Sequence, residues 1–249
     1  MSGHSKWSTI KRKKGALDAK RGKIFSKLVK EITVAVRTGG SDEDANPRLR
    51  LALAKARAIS MPSANIERAI AKGTGEADGV TYEEITYEGY GPGGVAFIVE
   101  CMTDNRNRTV GEVRHAFSRN NGNMAESGAV AWNFERVGFV SVAKAGVSED
   151  DLMLMVMDAG AENIEDGDES WDIYSPVEFM ETVRKTVVDN GLDVKEYSLT
   201  LKAKTLCKID AAEEAKRVLK LIDVLEDLDD VQEVTSNFDA DEALLAGLE

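Results

Sequence analysis

Apolar residues in the first third of the chain recur at the spacing of helices that bury one side. Between Leu17 and Arg37, residues Phe25, Leu28, Val29, Ile32 and Val36 fall on one face, as a helical advance of about 100° per residue requires. Gly39 and Gly40 supply a stop. In the next segment, "NPRLRLALAKARAIS", Asn46 reads as an N-cap and Pro47 as the first helical residue, where its missing N–H costs nothing. Leu49, Ala52, Leu53 and Ala56 form its apolar stripe. "MPSANIERAIAKG" predicts a third short helix with Ile66 and Ile70 inward and Gly73 at its end. Residues 73–80, "GTGEADGV", hold no apolar anchor before Val80 and read as a linker.

The period then changes from helix to strand. "EEITYEGYGPGGVAFIVECM" is two β-rich runs around a glycine-rich turn, a hairpin signal. "TDNRNRTVGEVRHAFSRN" predicts a capped helix with Val110, Val113 and Phe117 inward, and "VAWNFE" a further strand. Residues 138–202 carry strand, helix, two strands, helix and strand in turn, the βαββαβ order of a ferredoxin-like split motif. The methionines Met153, Met155 and Met157, on and beside the first helix of this unit, are read as core filling in preference to a promiscuous peptide groove. A last helix, "AAEEAKRVLKLIDVLEDL", and a strand, "VQEVTSNF", are too little to stand alone, as is the hairpin and helix before residue 136. Joining them predicts an α+β protein of three domains: a small helical one over 1–77, a discontinuous α/β sandwich over 78–136 plus 203–249, and a ferredoxin-like α/β domain over 137–202 inserted into it.

Charge sharpens this division. Residues 1–73 hold 17 Lys and Arg against 6 Asp and Glu, net +11, whereas the rest of the chain holds 15 against 38, net −23. Such asymmetry points to a polyanion partner for the basic part; the competing reading is that this part docks onto the acidic remainder of the same chain. Lys20, Lys23, Lys27 and Lys30 fall opposite the apolar face of the first helix, with only Asp18 and Glu31 as acids nearby, and are expected to face phosphates. Arg21 belongs to the same basic run, and Arg48, Arg50, Lys55 and Arg57 flank the stripe of the second helix. Lys6, Lys11, Arg12, Lys13 and Lys14 form an extension expected to order on binding. Arg108, His115 and Arg119 share the outer side of their helix as a secondary contact, or simply as a wet face.

Other chemistry is not indicated. Cys101 and Cys207 make no CxxC, and with only His4 and His115 no zinc set forms at any usual spacing. The acids from Glu162 to Asp172 lack the calcium-loop pattern. "GPGG" is followed by a strand and no Lys-Ser/Thr, which excludes a phosphate-binding P-loop. No nucleophile, base and orienting acid converge. No catalytic residue, metal or cofactor is therefore expected, and no apolar run is long enough to span a bilayer. The start of the chain reads as a mature cytosolic N-terminus.

"GHSKW" at 3–7, "NPRLRLALAKARAISMPSANIERAIAKG" at 46–73, "YEGYGPGG" at 87–94, "TDNRNRT" at 103–109 and "SGAVAWNFERVG" at 127–138 closely resemble the YebC/PmpR family. That resemblance implies three domains, the middle one discontinuous. It implies a non-enzymatic regulator that binds DNA in the bacterial cytoplasm. It also implies an alternative role: a mitochondrial relative resembles a translational activator, and bacterial members are linked to relieving stalled ribosomes, with ribosomal RNA as the partner. In "NNGNMAESG" this sequence has Asn121 and Ala125 where the family usually shows glycine. Asn tolerates a left-handed turn, and Ala125 would be strained if its φ were positive.

Overall fold

The computed structural model describes residues 17–75, 81–167 and 169–247. Among these, one compact unit takes the residues up to Ala129 together with Lys216–Val234, and a second takes Val130–Ala215 with those from Thr235 onward.

In the first unit, helix α1 (Leu17–Gly39) packs against α2 (Pro47–Ala58) and α3 (Ser63–Thr74). Leu28, Ile32, Val36, Leu49, Leu53 and Met61 form the core between them, the apolar stripes expected from periodicity. Asn46 fixes the corner between α1 and α2. Its side-chain oxygen accepts from the Leu49 amide at 3.1 Å, and its Nδ2 donates to the carbonyls of Ala35 and Gly40, both at 2.8 Å. Gly39 makes room for it, since a Cβ there would lie 2.6 Å from Nδ2. Helix α3 runs past Gly73, the end the sequence suggested, and stops at Gly75 with φ 82°. Gly73 serves packing instead: a Cβ on it would lie 2.6 Å from Val36 Cβ, so its absence lets α3 approach α1.

Strands β1 (Glu83–Tyr90) and β2 (Ala96–Thr103) form the expected hairpin, in register from Tyr90↔Ala96 to Glu83↔Thr103. The Pro92–Gly94 turn closes it with positive φ at Gly93 and Gly94. Helix α4 (Arg106–Arg119), capped by the Asn105 side chain, leads through Asn121, at φ 61°, into β3 (Asn123–Ala125). Asn121 thus holds the left-handed turn. Ala125 sits in the strand without positive φ, so no strain arises there.

In the second unit β4 spans Phe134–Ala143. The two strands read at 130–135 and from residue 138 are therefore one strand preceded by a 3-10 turn at Ala131–Asn133. Asn133 anchors the turn: its Nδ2 donates to the Thr205 carbonyl and its Oδ1 accepts from the Thr205 amide, both at 2.9 Å, while its own carbonyl accepts from the Lys204 amide at 2.8 Å. Then follow α5 (Glu149–Met157), β5 (Asn163–Asp166), β6 (Ser170–Ser175), α6 (Met180–Asp189) and β7 (Val194–Ala203). The sheet order β5-β6-β4-β7 is antiparallel throughout, the ferredoxin-like arrangement. Helix α6 closes onto Gly138 of β4, where a Cβ would meet Met180 Cβ at 2.5 Å.

The chain continues through β8 (Cys207–Lys208), which the sequence pattern did not reveal, to α7 (Ala212–Glu226) and β9 (Val231–Ser236). It ends with β10 (Phe238–Asp239), parallel to β8, and a short helix α8 (Glu242–Ala246). β9 joins the first sheet in the order β3-β1-β2-β9, so the tail pairs with the middle of the chain as expected. Val218, Leu221, Ile222 and Leu225 of α7 are fully buried.

The Asn46 corner yields a direct expectation. Asn46→Ala removes one cap and the side-chain bonds to the buried Ala35 carbonyl and the exposed Gly40 carbonyl, and is expected to destabilise the helical region by about 2 kcal/mol. Amide exchange of α1 and α2 measures this, and Asn46→Asp should recover only the capping part.

Candidate nucleic-acid interface

The row Lys23, Lys27, Lys30 lies along α1 opposite its apolar face, as the periodicity indicates, but its ammonium groups are bound by groups of the same chain. Lys23 Nζ donates to the Asp227 carbonyl at 2.9 Å, with the Asp227 carboxylate at 3.5 Å. Lys27 Nζ donates to the Glu226 carbonyl at 2.8 Å. Lys30 Nζ donates to the carbonyls of Asp229 (3.0 Å) and Met102 (3.3 Å) and to Asp230 Oδ1 at 2.7 Å. The physical reason is the end of α7. A helix leaves its last carbonyls without intrahelical partners and carries partial negative charge there, and three ammonium groups at positions i, i+4 and i+7 of α1 meet that end and the turn after it. For these three lysines the expectation of a phosphate-facing row is corrected: the basic helix docks on acidic residues of its own chain. Lys23 keeps a half-exposed side chain, whereas that of Lys30 is only 13% exposed.

Asp230 is the centre of this junction. Its carboxylate, 4% exposed, also accepts from Thr103 Oγ1 (3.0 Å), Thr109 Oγ1 (2.8 Å) and the Arg108 guanidinium (2.6 Å). Burial pushes its pKa up, but the hydrogen bonds from Lys30, Arg108 and Thr109 outweigh this and bring it down to about 2. Arg108, expected as an outward secondary contact, is exposed but already engaged, its guanidinium bridging Asp230 and Asp104.

Further cations are held by carboxylates. Arg48 bonds Glu31 at 2.8 Å and both oxygens of Glu84 at 2.5 and 3.0 Å. Arg57 makes a two-pronged pair with Glu43, both bonds 2.8 Å, and this pairing lowers the Glu43 pKa. Arg50 donates to the Asp44 carbonyl at 2.6 Å. Lys20 and Arg21 lie in the first turns of α1, their side chains outside the described residues, as are Lys6, Lys11, Arg12, Lys13 and Lys14 altogether.

What remains directed at water is a different set. Lys55 on α2 is exposed, as are Arg37 at the end of α1 and Arg68 on α3; Lys72 is half-buried. None of the four has an ion pair among the described residues. Arg68 and Lys72, spaced i and i+4 in "IERAIAKG", line with Asn65 a shallow cavity of about 110 Å³ whose floor is Val29 and Ala69. The denser lysine run of α1 outweighs this pair in the sequence, where its i, i+4 spacing is the one signal it gives. On α4, His115 and Arg119 are exposed, beside Arg114. The buried thiol of Cys101 is pushed up to about 12, chiefly by desolvation, so it stays protonated and non-nucleophilic at neutral pH. No helix among the described residues is long and apolar enough to cross a membrane.

Residues 5–76 match a family model described as the TACO1/YebC protein N-terminal domain, and residues 82–238 one described as the TACO1/YebC second and third domain. A protein of Chlorobaculum tepidum, 52% identical over all of this chain and 99% of its own, and one of Geobacter sulfurreducens, 54% identical over 96% of each, are both named probable transcriptional regulatory proteins. The crystal structure of a conserved hypothetical protein from Aquifex aeolicus superposes with a TM-score of 0.83 at 46% identity, covering 90% of this chain and 93% of that one.

The Asp230 junction sets a pH dependence. A carboxylate whose pKa is lower in the folded than in the unfolded chain stabilises the fold above about pH 4 and loses that contribution as the pH falls from about 4 to about 2, about 2.5 kcal/mol in all. Asp230→Asn is expected to lower stability at neutral pH by about 3 kcal/mol, leaving Lys30 buried without its counter-charge. Its acid limb should also be shallower than that of the wild type, which denaturant melts across that pH range would measure.

Proposed function

Because the chain belongs to the TACO1/YebC family, we propose that it is a non-enzymatic regulator of gene expression that binds nucleic acid through its basic helical region, with duplex DNA as the target. The observation that carries this reading is the set of cations left over once the internal pairs are subtracted. Arg37, Lys55, Arg68 and Lys72 present positive charge around α2 and α3, and the basic stretch from Lys6 to Arg21 precedes them in the chain. Beyond residue 73 the chain is net −23, and this negative charge repels a phosphate backbone and confines contact to the helical part. Phosphate contacts of this kind position a protein on its target and carry little base information. Three domains with the boundaries 1–77, 78–136 plus 203–249, and 137–202 complete the proposal: one binds, and two acidic ones remain clear of the polyanion.

Replacement of Lys55, Arg68 and Lys72 by Gln leaves the core of the helical region unchanged. It should reduce the slope of log affinity against log salt on duplex DNA by up to about 0.9 for each phosphate that is no longer neutralised. Lys30→Gln, by comparison, should lower stability through Asp230 and leave that slope nearly unaltered. An identical slope in the triple variant would remove α2 and α3 from the interface. Cosedimentation with ribosomal particles that resists salt, together with only non-specific DNA retention, would replace the DNA reading with a ribosomal-RNA one, in which structured RNA is recognised by shape.

A further inference from the structure

Helix α5 reads "EDDLMLMVM" and is apolar around nearly its whole circumference after three acids. Leu152 and Val156 are buried against the ferredoxin-like core, and Met153 and Met155 are half-buried. On the outer side Leu154 is 76% and Met157 59% exposed. The expectation that these methionines fill the core therefore fails for Met157. The apolar surface continues beyond the helix, since Phe179 stands against Gly160 in the turn after α5, where a Cβ would meet its ring at 2.5 Å. Phe179 is itself 43% exposed and Val177, two residues before it, 38%. A helix that is apolar all round is normally covered on every side, and a contiguous exposed patch of Leu, Met, Val and Phe marks a contact site on a folded protein.

The rim around the patch is acidic. Asp150 and Asp158 stand four residues before and after Leu154, on its own face of the helix; Asp151 is beside them, and Glu178 separates Val177 from Phe179. The nearest cation on α6, Arg184, is already paired with Glu181 at 2.6 Å, and Lys185 follows it. A second copy meeting this patch with its own would bring the same carboxylates face to face, and nucleic acid or an anionic membrane would meet like charge. An apolar centre within an acidic rim fits a helix with an apolar stripe flanked by Lys and Arg, and methionine at the centre adapts to varied side chains.

We propose that the α5 patch, Leu154, Met157, Val177 and Phe179, is a docking surface for a basic amphipathic helix of a partner protein. This goes beyond the nucleic-acid reading and does not depend on it. The test titrates the full-length chain into a labelled synthetic peptide of about 18 residues, long enough to be helical, with leucines at helical spacing and lysines elsewhere. The wild type should bind it. Leu154→Gln with Met157→Gln should weaken binding at least about tenfold, and so should Asp150→Lys with Asp158→Lys. Leu154 and Met157 are at the surface, so thermal melts and DNA retention of the Leu154→Gln/Met157→Gln variant should match those of the wild type. Equal binding by either variant, or equal binding of a scrambled peptide of the same composition, would overturn the proposal. A dimer in sedimentation that the Leu154→Gln/Met157→Gln variant disperses would assign the patch to a second copy and overturn it as well.

Discussion

Helix α7 ends in carbonyls that its own backbone does not satisfy, and a buried carboxylate, Asp230, follows within one turn. Water cannot reach that carboxylate in quantity, so an internal cation has to accompany it. The first helix of the chain supplies one through Lys30, and its register of i, i+4 and i+7 brings Lys23 and Lys27 to the neighbouring carbonyls. Arg108 and two threonines complete the shell. The helical region and the first sheet are thereby tied by charge as well as by packing. The requirement explains why Lys23, Lys27 and Lys30 direct their ammonium groups at their own chain.

That internal use of charge changes what the +11 of residues 1–73 means. Paired cations such as Arg48 and Arg57 contribute to local geometry, while their carboxylate partners reduce the field a distant polyanion would feel. Lys55, Arg68 and Lys72 act differently because no carboxylate among the described residues neutralises them. A net charge summed along the sequence counts both kinds equally, whereas only the second kind releases counterions when a phosphate replaces water.

Within the second unit the polarity is reversed. A short helix spends two of its faces on hydrophobic contacts, one inward and one outward, with acids at its start and end. Gly160 and Phe179 extend the outer face by close approach, which no periodicity records. Positive charge around α2 and α3 and an acid-rimmed apolar patch on α5 are complementary to different classes of partner.

Local patterning was sufficient for much of this. The stripes of α1, α2 and α7, the Asn46 cap, the GPGG hairpin, the ferredoxin-like order and the left-handed turn at Asn121 follow from rules that act over a few residues, and all were legible. The strand at Cys207 was not, because two residues carry no period. The break before Phe134 was hidden because its anchor, a pair of hydrogen bonds to Thr205, lies about seventy residues away. Gly73 looked like a stop, since the true reason for it is a neighbour on another helix. The lysine row is the sharpest case: the sequence by itself determined that three ammonium groups share one face of α1, and only the tertiary structure decided that α7 ends opposite that face. Periodicity specifies which side chains lie together, but the charge that lies across from them is set by packing of segments some two hundred residues apart, and electrostatic energy depends on that distance in space.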